Sequence, residues 1–391
     1  MRNTLLALRA GHVFDGTDVG RSGTVLVEDG VIRDVDLTGA TPPEHATVRD
    51  FGPDAWLLPG LIDAHVHLCW DAGRDAVAHV ASDDRDTVLD TARDAAATML
   101  RAGVTTVRDL GDRDFLTLDL RERVPAERRP DIVAAGPPIT TRGGHCHFLG
   151  GAAEGAAELL AAVRQRAERG CEVVKVMAAG GNMTPGSDAL HQQYGLADLR
   201  LIVDEAHRLG LRAAAHVHAA DTIGDVIEAG FDTIEHFSFF TAEGIALRQE
   251  LLDEVVRRGI FVSLTVGALP GMVPPSPTAA ARIGGLPDLV AKVVASGARV
   301  VPGTDAGIEP AKPHDILPQA LIQLTEYGMP AIDVLRSATS VAAEAVGRSG
   351  RKGVLRAGAD ADVLVLGDSP LADMSAVTDI LAVYRAGRRV R

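Results

Sequence analysis

The chain alternates between helical and strand-like spacing of its hydrophobic residues, and a glycine marks each joint. Val88, Ala92, Ala95 and Met99 recur at helical intervals, and Gly103 then precedes the short apolar stretch VTTVRD. The later joints read ERGCEVVKV, RLGLRAAAH, EAGFDTIEH, RRGIFVSL and ASGARVVPGTD. Glycine suits these joints because the residue that follows a helix often takes a positive φ angle, which glycine adopts without a Cβ clash.

Short strands that are apolar throughout, alternating with helices, indicate parallel strands that helices cover on both faces. Segments 61–67 and 131–135 bring the number of such strands to eight. The expected fold class is therefore α/β. Eight repeats favour a closed (β/α)8 TIM barrel over an open sheet.

The two chain ends have a different pattern. Residues 1–58 hold short alternating segments such as TVLVEDGVIRDV, in which Asp29-Gly30 is typical of a hairpin turn. Residues 353–391 repeat this style with ADVLVLG and AVYRAGRRV. We therefore expect residues 1–58 plus 353–391 to form a small side domain beside a barrel domain of residues 59–352.

Composition limits the class of protein and its partners. A hydrophobic fraction of 46% with 24% charged residues is typical of a globular chain with a large core. The net charge of −14 repels phosphate groups, so we expect neither a nucleic-acid nor a membrane partner. Three cysteines without a CxxC pair exclude a disulfide framework, and no targeting or membrane-spanning segment is recognised. We expect a cytoplasmic protein, and the sequence is compatible with a homo-oligomer.

Metal-binding or ionisable side chains recur at the ends of five of the predicted strands. Barrel enzymes place their chemistry there because the C-terminal ends of the strands converge on one mouth. The set comprises His65, His67, Lys175, His216, His236 and Asp305.

Two pairs of histidines lie two residues apart. His65 and His67 share one face of a strand, which is the geometry that two imidazoles need to bind one metal ion. An isolated pair of this kind is more often satisfied in a core, but the other strand ends favour a metal site. His216 has the same glycine-to-ligand offset as His236, so we expect His218 to support the site rather than bind the metal.

Lys175 is one of only four lysines and lies inside the apolar run VVKVM. Burial favours the neutral amine, which can add CO₂ and become a carbamate able to bridge two metal ions. An ion pair with a carboxylate such as Asp109 and a Schiff-base role are the alternatives. Beside the histidines and Asp305, N6-carboxylation is the preferred interpretation. Asp305 can bind metal and move a proton, although an aspartate after a strand is often only a helix cap.

Substrate contacts are harder to predict. The loop TTRGGHCH contains Arg142, which could bind a substrate carboxylate, and His145, which could donate a hydrogen bond to a carbonyl. A solvated turn is the plain alternative. Tyr194 is a weaker candidate, and the proline- and glycine-rich segment 267–285 is a candidate lid loop. HExxH, GxSxG, Walker and GxGxxG motifs are absent from the sequence.

Together these residues resemble the metal-dependent amidohydrolase superfamily. The matching stretches are PGLIDAHVHL, VVKVMAAGG, AAAHVHA, TIEHF and PGTDAG, flanked by VLVEDGVIRDV and GVLRAGADADVLVLGDSPL. The likeness covers essentially the whole chain and is greatest to the prolidase and imidazolonepropionase-like branch. Imidazolonepropionases themselves resemble a mononuclear design without the bridging lysine, so Lys175 favours the dipeptidase side.

The resemblance implies a (β/α)8 barrel with a β-sandwich side domain and a binuclear centre, with zinc as the expected ion. It implies that one ion is held by His65, His67 and Asp305, that the other is held by His216 and His236, and that carboxylated Lys175 bridges the two.

The expected activity is cleavage of an amide C–N bond in a small-molecule substrate by a metal-bridging hydroxide, with Asp305 moving the proton. An Xaa-Pro-type dipeptide or an N-acyl amino acid is the preferred substrate. A cyclic amide of the imidazolone type is the alternative within this class, and a non-catalytic scaffold on a hydrolase barrel is the alternative outside it.

Overall fold

The structure, a computed structural model, describes residues 5–270 and 277–391. The strands in these ranges are β1 (Leu6–Phe14), β2 (Val19–Glu28), β3 (Val31–Asp36), β4 (Thr47–Asp50), β5 (Trp56–Pro59), β6 (Leu61–Val66), β7 (Val104–Asp109), β8 (Asp131–Ala134), β9 (Val173–Met177), β10 (Arg212–Ala219), β11 (Thr233–Phe240), β12 (Phe261–Leu264), β13 (Arg299–Pro302), β14 (Val363–Leu366), β15 (Ile380–Arg385) and β16 (Arg388–Arg389). The helices are α1 (Ala76–Ser82), α2 (Arg85–Arg101), α3 (Leu116–Arg123), α4 (Gly155–Arg169), α5 (Leu196–Arg208), α6 (Ala220–Ala229), α7 (Gln249–Arg258), α8 (Pro277–Ala295), α9 (Leu317–Glu326), α10 (Ala331–Ser337) and α11 (Ser340–Ala345).

Eight parallel strands alternate with helices along the middle of the chain, which confirms the predicted α/β class. They form a five-stranded sheet of β9 to β13 and a three-stranded sheet of β6 to β8. Two isolated parallel bridges lie beside these sheets: Ile139, after β8, pairs with Val176 of β9, and Val66 of β6 pairs with Ala306, after β13. Gly170 and Gly230 end α4 and α6 with φ angles of 87° and 89°, as predicted for glycine joints.

A third sheet combines the two ends of the chain. Its strand order is β16-β15-β14-β5-β1-β2-β3, with β4 paired to β1, so strands from residues 6–59 and 363–389 hydrogen-bond to each other. The predicted hairpin at Asp29-Gly30 is present between β2 and β3, with φ angles of 52° and 80°. Leu8, Leu57 and Val363 lie in a buried apolar cluster of this sheet.

The segment 267–285 is not a loop throughout, which corrects the expected lid. Residues 271–276 lie outside the described residues, and from Pro277 onward the chain is helical as α8. Proline fits there because the first turn of a helix leaves its N–H groups unbonded in any case. Leu289, Val290 and Val293 are buried and anchor the helix. Among the described helices, none combines the length and apolar content needed to cross a bilayer.

A close backbone approach at Gly303 fixes the spacing of β12, β6 and the segment after β13. A Cβ atom at Gly303 would lie 2.4 Å from Oγ of Ser263 and 2.6 Å from Cβ of His65. We therefore expect Gly303→Ala to lower the free energy of unfolding by about 1–3 kcal/mol, as overpacking does. Urea denaturation measures the change.

Gly284→Ala is the matched control, because a Cβ at Gly284 has no heavy atom within 4 Å and lies in a helix. That variant should be unchanged or more stable by roughly 0.5–1 kcal/mol. Equal unfolding midpoints for both variants would show that the packing around Gly303 can relax.

Candidate active site

One cavity of about 870 Å³ contains all six side chains predicted at the strand ends. They come from β6, β9, β10, β11 and the segment after β13, and their Cα atoms span sequence positions 65 to 305. The C-terminal ends of parallel strands lie at the same edge of a sheet, which brings these distant sequence positions together. The six are His65, His67, Lys175, His216, His236 and Asp305.

The first cluster consists of His65, His67 and Asp305. Oδ1 of Asp305 lies 3.4 Å from Nε2 of His65 and 3.1 Å from Nε2 of His67. Burial alone would raise the pKa of Asp305, but His65 and His67 hold it well below its usual range. The carboxylate is therefore ionised, as a metal ligand must be.

The second cluster consists of His216, His218 and His236. Nδ1 of His216 lies 2.9 Å from Nε2 of His236, and one nitrogen of His218 lies within 4.8 Å of both rings' ligand atoms. Burial lowers the pKa of His216 and His236 well below 6.5, so both imidazoles are neutral. The rings of His65 and His236 are 5.3 Å apart, which places the two clusters side by side.

Each histidine predicted to bind metal has its second ring nitrogen in contact with the protein. Such contacts fix the tautomer and aim the free nitrogen at a metal. Two of these nitrogens contact backbone carbonyls: Nδ1 of His67 lies 3.1 Å from the Gly111 carbonyl, and Nε2 of His216 lies 3.1 Å from the Gly180 carbonyl. The other two contact side chains: Nδ1 of His236 lies 3.0 Å from the Thr265 hydroxyl, and Nδ1 of His65 lies 3.0 Å from the Glu235 carboxylate.

Sequence reasoning missed the buried ion pair that supports His65. Nη2 of Arg108 donates to Oε1 of Glu235 at 2.8 Å, and Nε of Arg108 donates to the Ala64 carbonyl at 2.7 Å. Although burial raises the pKa of Glu235, Arg108 and His65 lower it overall, so Glu235 is ionised. Both residues interrupt apolar strands, VTTVRD and TIEHF, which is the signal that identified Lys175.

Lys175 is fully buried beside the first cluster, with Nζ 3.4 Å from Nε2 of His65. Its expected alternative partner, Asp109, instead accepts hydrogen bonds from the backbone N–H groups of Leu68 and Gly111. Among the described residues no carboxylate lies within 4 Å of the lysine amine. Burial lowers the pKa of Lys175 to about 8. The neutral fraction of this amine at a given pH is therefore larger than that of a free lysine.

The three predicted substrate contacts fare differently. His145 lines the cavity, with its ring 4.7 Å from that of His216 and Nδ1 3.1 Å from the Thr184 hydroxyl. Burial lowers the pKa of His145 to about 3, so it is a neutral hydrogen-bonding group.

Cys146 also lines the cavity, but burial raises the pKa of its thiol to about 12, which excludes a thiolate nucleophile at neutral pH.

The structure does not bring Arg142 and Tyr194 together with the metal-binding side chains. Neither is among the described residues that line the cavity. The Arg142 guanidinium is 58% exposed and is paired with Glu154 and Glu158, each at 2.7 Å, so its charge is already matched. The Tyr194 hydroxyl is buried and donates to the Ala153 carbonyl at 2.8 Å.

The donor set fits divalent metal ions. Neutral imidazoles and an ionised carboxylate are the ligands that zinc and related ions accept, and here their free atoms converge in two groups. Strained backbone occurs at two of these side chains, since His236 and Asp305 have φ angles of 70° and 60°. Non-glycine residues rarely adopt such angles except where the surrounding structure enforces them, commonly at functional sites.

An α/β fold of parallel strands that delivers histidine and aspartate side chains into one cavity defines a class of amide-hydrolysing enzymes. The chain belongs to the amidohydrolase family, which residues 56–390 match. A solved Xaa-Pro dipeptidase with bound methionine superposes with a TM-score of 0.88 at 26% identity, covering 99% of each chain.

Two curated relatives carry other enzyme names. The ochratoxinase of Aspergillus niger is 27% identical over an alignment of 361 positions that covers 84% of this chain and 73% of the ochratoxinase. The imidazolonepropionase of Ralstonia nicotianae is 27% identical over an alignment of 384 positions that covers 89% of this chain and 87% of the relative. Hydrolysis is therefore the activity class, while the substrate differs among similar proteins.

The contact between Thr265 and His236 gives a test of the second cluster. We expect Thr265→Val, which has the same shape without the hydroxyl, to weaken zinc binding about tenfold or more, because His236 loses its orienting partner. Competition with a chromophoric chelator measures the affinity.

Thr265→Ser keeps the hydroxyl and should bind zinc like the parent protein. Ser238→Ala removes the partner of His218, 3.1 Å away, and should change the affinity little if His218 is not a ligand. Unchanged affinity in Thr265→Val would show that this hydroxyl does not orient His236.

Proposed function

We propose that this protein is a binuclear metal-dependent hydrolase of amide C–N bonds, acting on an Xaa-Pro-type dipeptide or an N-acyl amino acid. The observation that carries the proposal is Lys175. Its amine is buried beside two adjoining groups of metal-binding side chains and has no carboxylate within ion-pair distance among the described residues. A bridging carbamate explains why a lysine occupies this position.

The proposed carbamate forms when the neutral amine of Lys175 attacks CO₂ and loses one proton, which leaves a carboxylate on the lysine nitrogen. His65, His67 and Asp305 would then hold one ion, and His216 and His236 the other, with the carbamate between them. The short distances inside each cluster and the 5.3 Å separation of the His65 and His236 rings support this arrangement. Zinc is the proposed ion.

Bound divalent ions would supply a water of lowered pKa and polarise the scissile carbonyl. Asp305 would accept the proton of this water and return it to the leaving amine, a role that its ionised carboxylate suits. His145, held by Thr184 and neutral, would donate a hydrogen bond to a substrate carbonyl.

The proposal also includes a closed (β/α)8 barrel of residues 59–352 with a β-sandwich side domain of residues 1–58 plus 353–391. The hydrogen bonds from Ile139 N–H to the Lys175 carbonyl and from Asp305 N–H to the His65 carbonyl, each 2.8 Å, support closure between the two parallel sheets. The mixed sheet made from both chain ends supports the side domain.

Hydrolysis of a cyclic amide is the second candidate, favoured by the similarity to the imidazolonepropionase over 89% of this chain. The rates of hydrolysis of a panel of Xaa-Pro dipeptides, N-acyl amino acids and cyclic amides separate the two candidates. A non-catalytic scaffold would be supported if the zinc-loaded protein cleaved none of them.

Lys175→Ala tests the carbamate. We expect loss of zinc from about two ions per chain, loss of amide hydrolysis, and partial recovery of both with acetate or propionate, because a short carboxylic acid can occupy the place of the carbamate. Metal analysis and turnover are the measurements. Full activity of Lys175→Ala would remove the carbamate from the mechanism.

The carboxylation of metal-free protein should depend on pH through the Lys175 amine. With a pKa of about 8, about 1% of the amine is neutral at pH 6 and about half at pH 8. At constant dissolved ¹³CO₂, the ¹³C-NMR carbamate signal should therefore rise with pH, begin to rise at lower pH than that of a free lysine, and be absent in Lys175→Ala. A signal that rises at the same pH as that of a free lysine under the same CO₂ would contradict the effect of burial.

A further inference from the structure

The cavity contains an arginine that sequence reasoning did not identify. Arg282, on α8, lines the cavity, whereas the predicted Arg142 lies outside it. Nε and Nη2 of Arg282 donate to the Thr241 carbonyl at 3.2 and 2.7 Å. Within residues 5–270 and 277–391, Nη1 has no acceptor and no carboxylate lies within 4 Å of this guanidinium.

Arg282 is the only arginine among the described residues that line the cavity. The protein has a net charge of −14, and Arg142 at the protein surface pairs with two glutamates. The sequence between 271 and 279 contains no aspartate or glutamate, so this neighbouring segment cannot supply a partner either. One guanidinium with free donors matches one carboxylate, which it binds through paired hydrogen bonds.

A stack of rings connects Arg282 to the metal-binding histidines. The Arg282 guanidinium carbon lies 5.2 Å from the centre of the Phe240 ring, which stacks on His218 at 4.9 Å and an interplanar angle of 7°. His218 in turn stacks on His236 at 4.3 Å. In this stack, the rings of Phe240 and His218 lie between Arg282 and His236, a proposed metal ligand.

The cavity wall on this side is apolar. α8 contributes Ile283, Leu286, Leu289 and Val290 to the lining. A substrate that reaches from the histidine clusters to Arg282 would place an apolar segment against this wall and an anionic end at the guanidinium. Apolar lining with a few placed polar groups is typical of pockets that fix the orientation of a small molecule.

We propose that Arg282 binds a substrate carboxylate that an apolar spacer separates from the scissile amide. The proposal rests on the proposed amide hydrolysis and narrows its substrate class to amides whose acyl part carries a distal carboxylate. Phe240 and His218 set the length of the spacer, since their two rings lie between the amide site and the guanidinium. Arg282 is thus a specificity-determining residue.

Matched chromogenic amides test this. The zinc-loaded protein is assayed with the 4-nitroanilide of hexanoic acid and the mono-4-nitroanilides of adipic and succinic acids. The first two differ only in a terminal methyl against a carboxylate, and the third has a carboxylate on a spacer two methylene groups shorter. We expect KM to be lowest for the adipic compound. Arg282→Gln should raise that KM about tenfold or more, with kcat and the KM of the hexanoic compound nearly unchanged.

Two further variants control for structural damage. Arg282→Lys keeps the charge and should recover part of the adipic preference, while Arg142→Gln changes an arginine outside the cavity and should leave all values unchanged. If Arg282→Gln changes the KM values of the hexanoic and adipic compounds equally, Arg282 only anchors α8 to Thr241, and the carboxylate site is overturned.

A binding measurement separates this proposal from the proposed function. Titration calorimetry compares adipate with hexanoate on the zinc-loaded protein, and we expect a preference for adipate that Arg282→Gln abolishes. If no amide is cleaved but this preference is found, hydrolysis is contradicted and the carboxylate site is supported. If amides are cleaved without any preference for a distal carboxylate, the site is overturned and hydrolysis stands.

Discussion

The buried ion pair of Arg108 and Glu235 is the interaction on which the site depends. Arg108 donates to Ala64 of β6 and to Thr233 and Glu235 of β11, so one guanidinium joins strands of both parallel sheets. Burying two charges costs desolvation energy, and such a pair is often no more stabilising than apolar packing. Here the ion pair positions metal-binding histidines, because Glu235 contacts His65 and precedes His236 directly in the sequence.

The two clusters obtain their geometry from locally strained backbone. His236 and Asp305 have positive φ angles, and the N–H of Asp305 donates to the His65 carbonyl at 2.8 Å. In a regular β-strand, successive side chains point to alternate faces of the sheet. The positive φ angles interrupt this alternation at the two positions where a ligand atom must point into the cavity. The surrounding hydrogen bonds hold the strand ends in place and so offset the free energy of the strained backbone.

Local patterns in the sequence predicted the α/β class, the glycine joints and the six clustered side chains, because spacing within a strand or after a helix is a short-range property. Arg142 lies outside the cavity and pairs with Glu154 and Glu158 at the start of the following helix, a pairing that sequence spacing does not show. Arg282 was missed since segment 267–285 was interpreted as a loop, although it becomes helical at Pro277. Closure of the two parallel sheets is likewise a long-range property, and it stays a proposal.

The sheet built from both chain ends has a consequence for synthesis on the ribosome. β5 needs β14 as its neighbour, yet about 300 residues separate them, which takes roughly 15–60 s to translate at 5–20 residues per second. During that interval the edge of β5 has no native partner, and an unpaired strand edge invites association with other chains. Ribosome-bound chains that stop before Val363 should therefore be more open to proteolysis near β5 than the released protein.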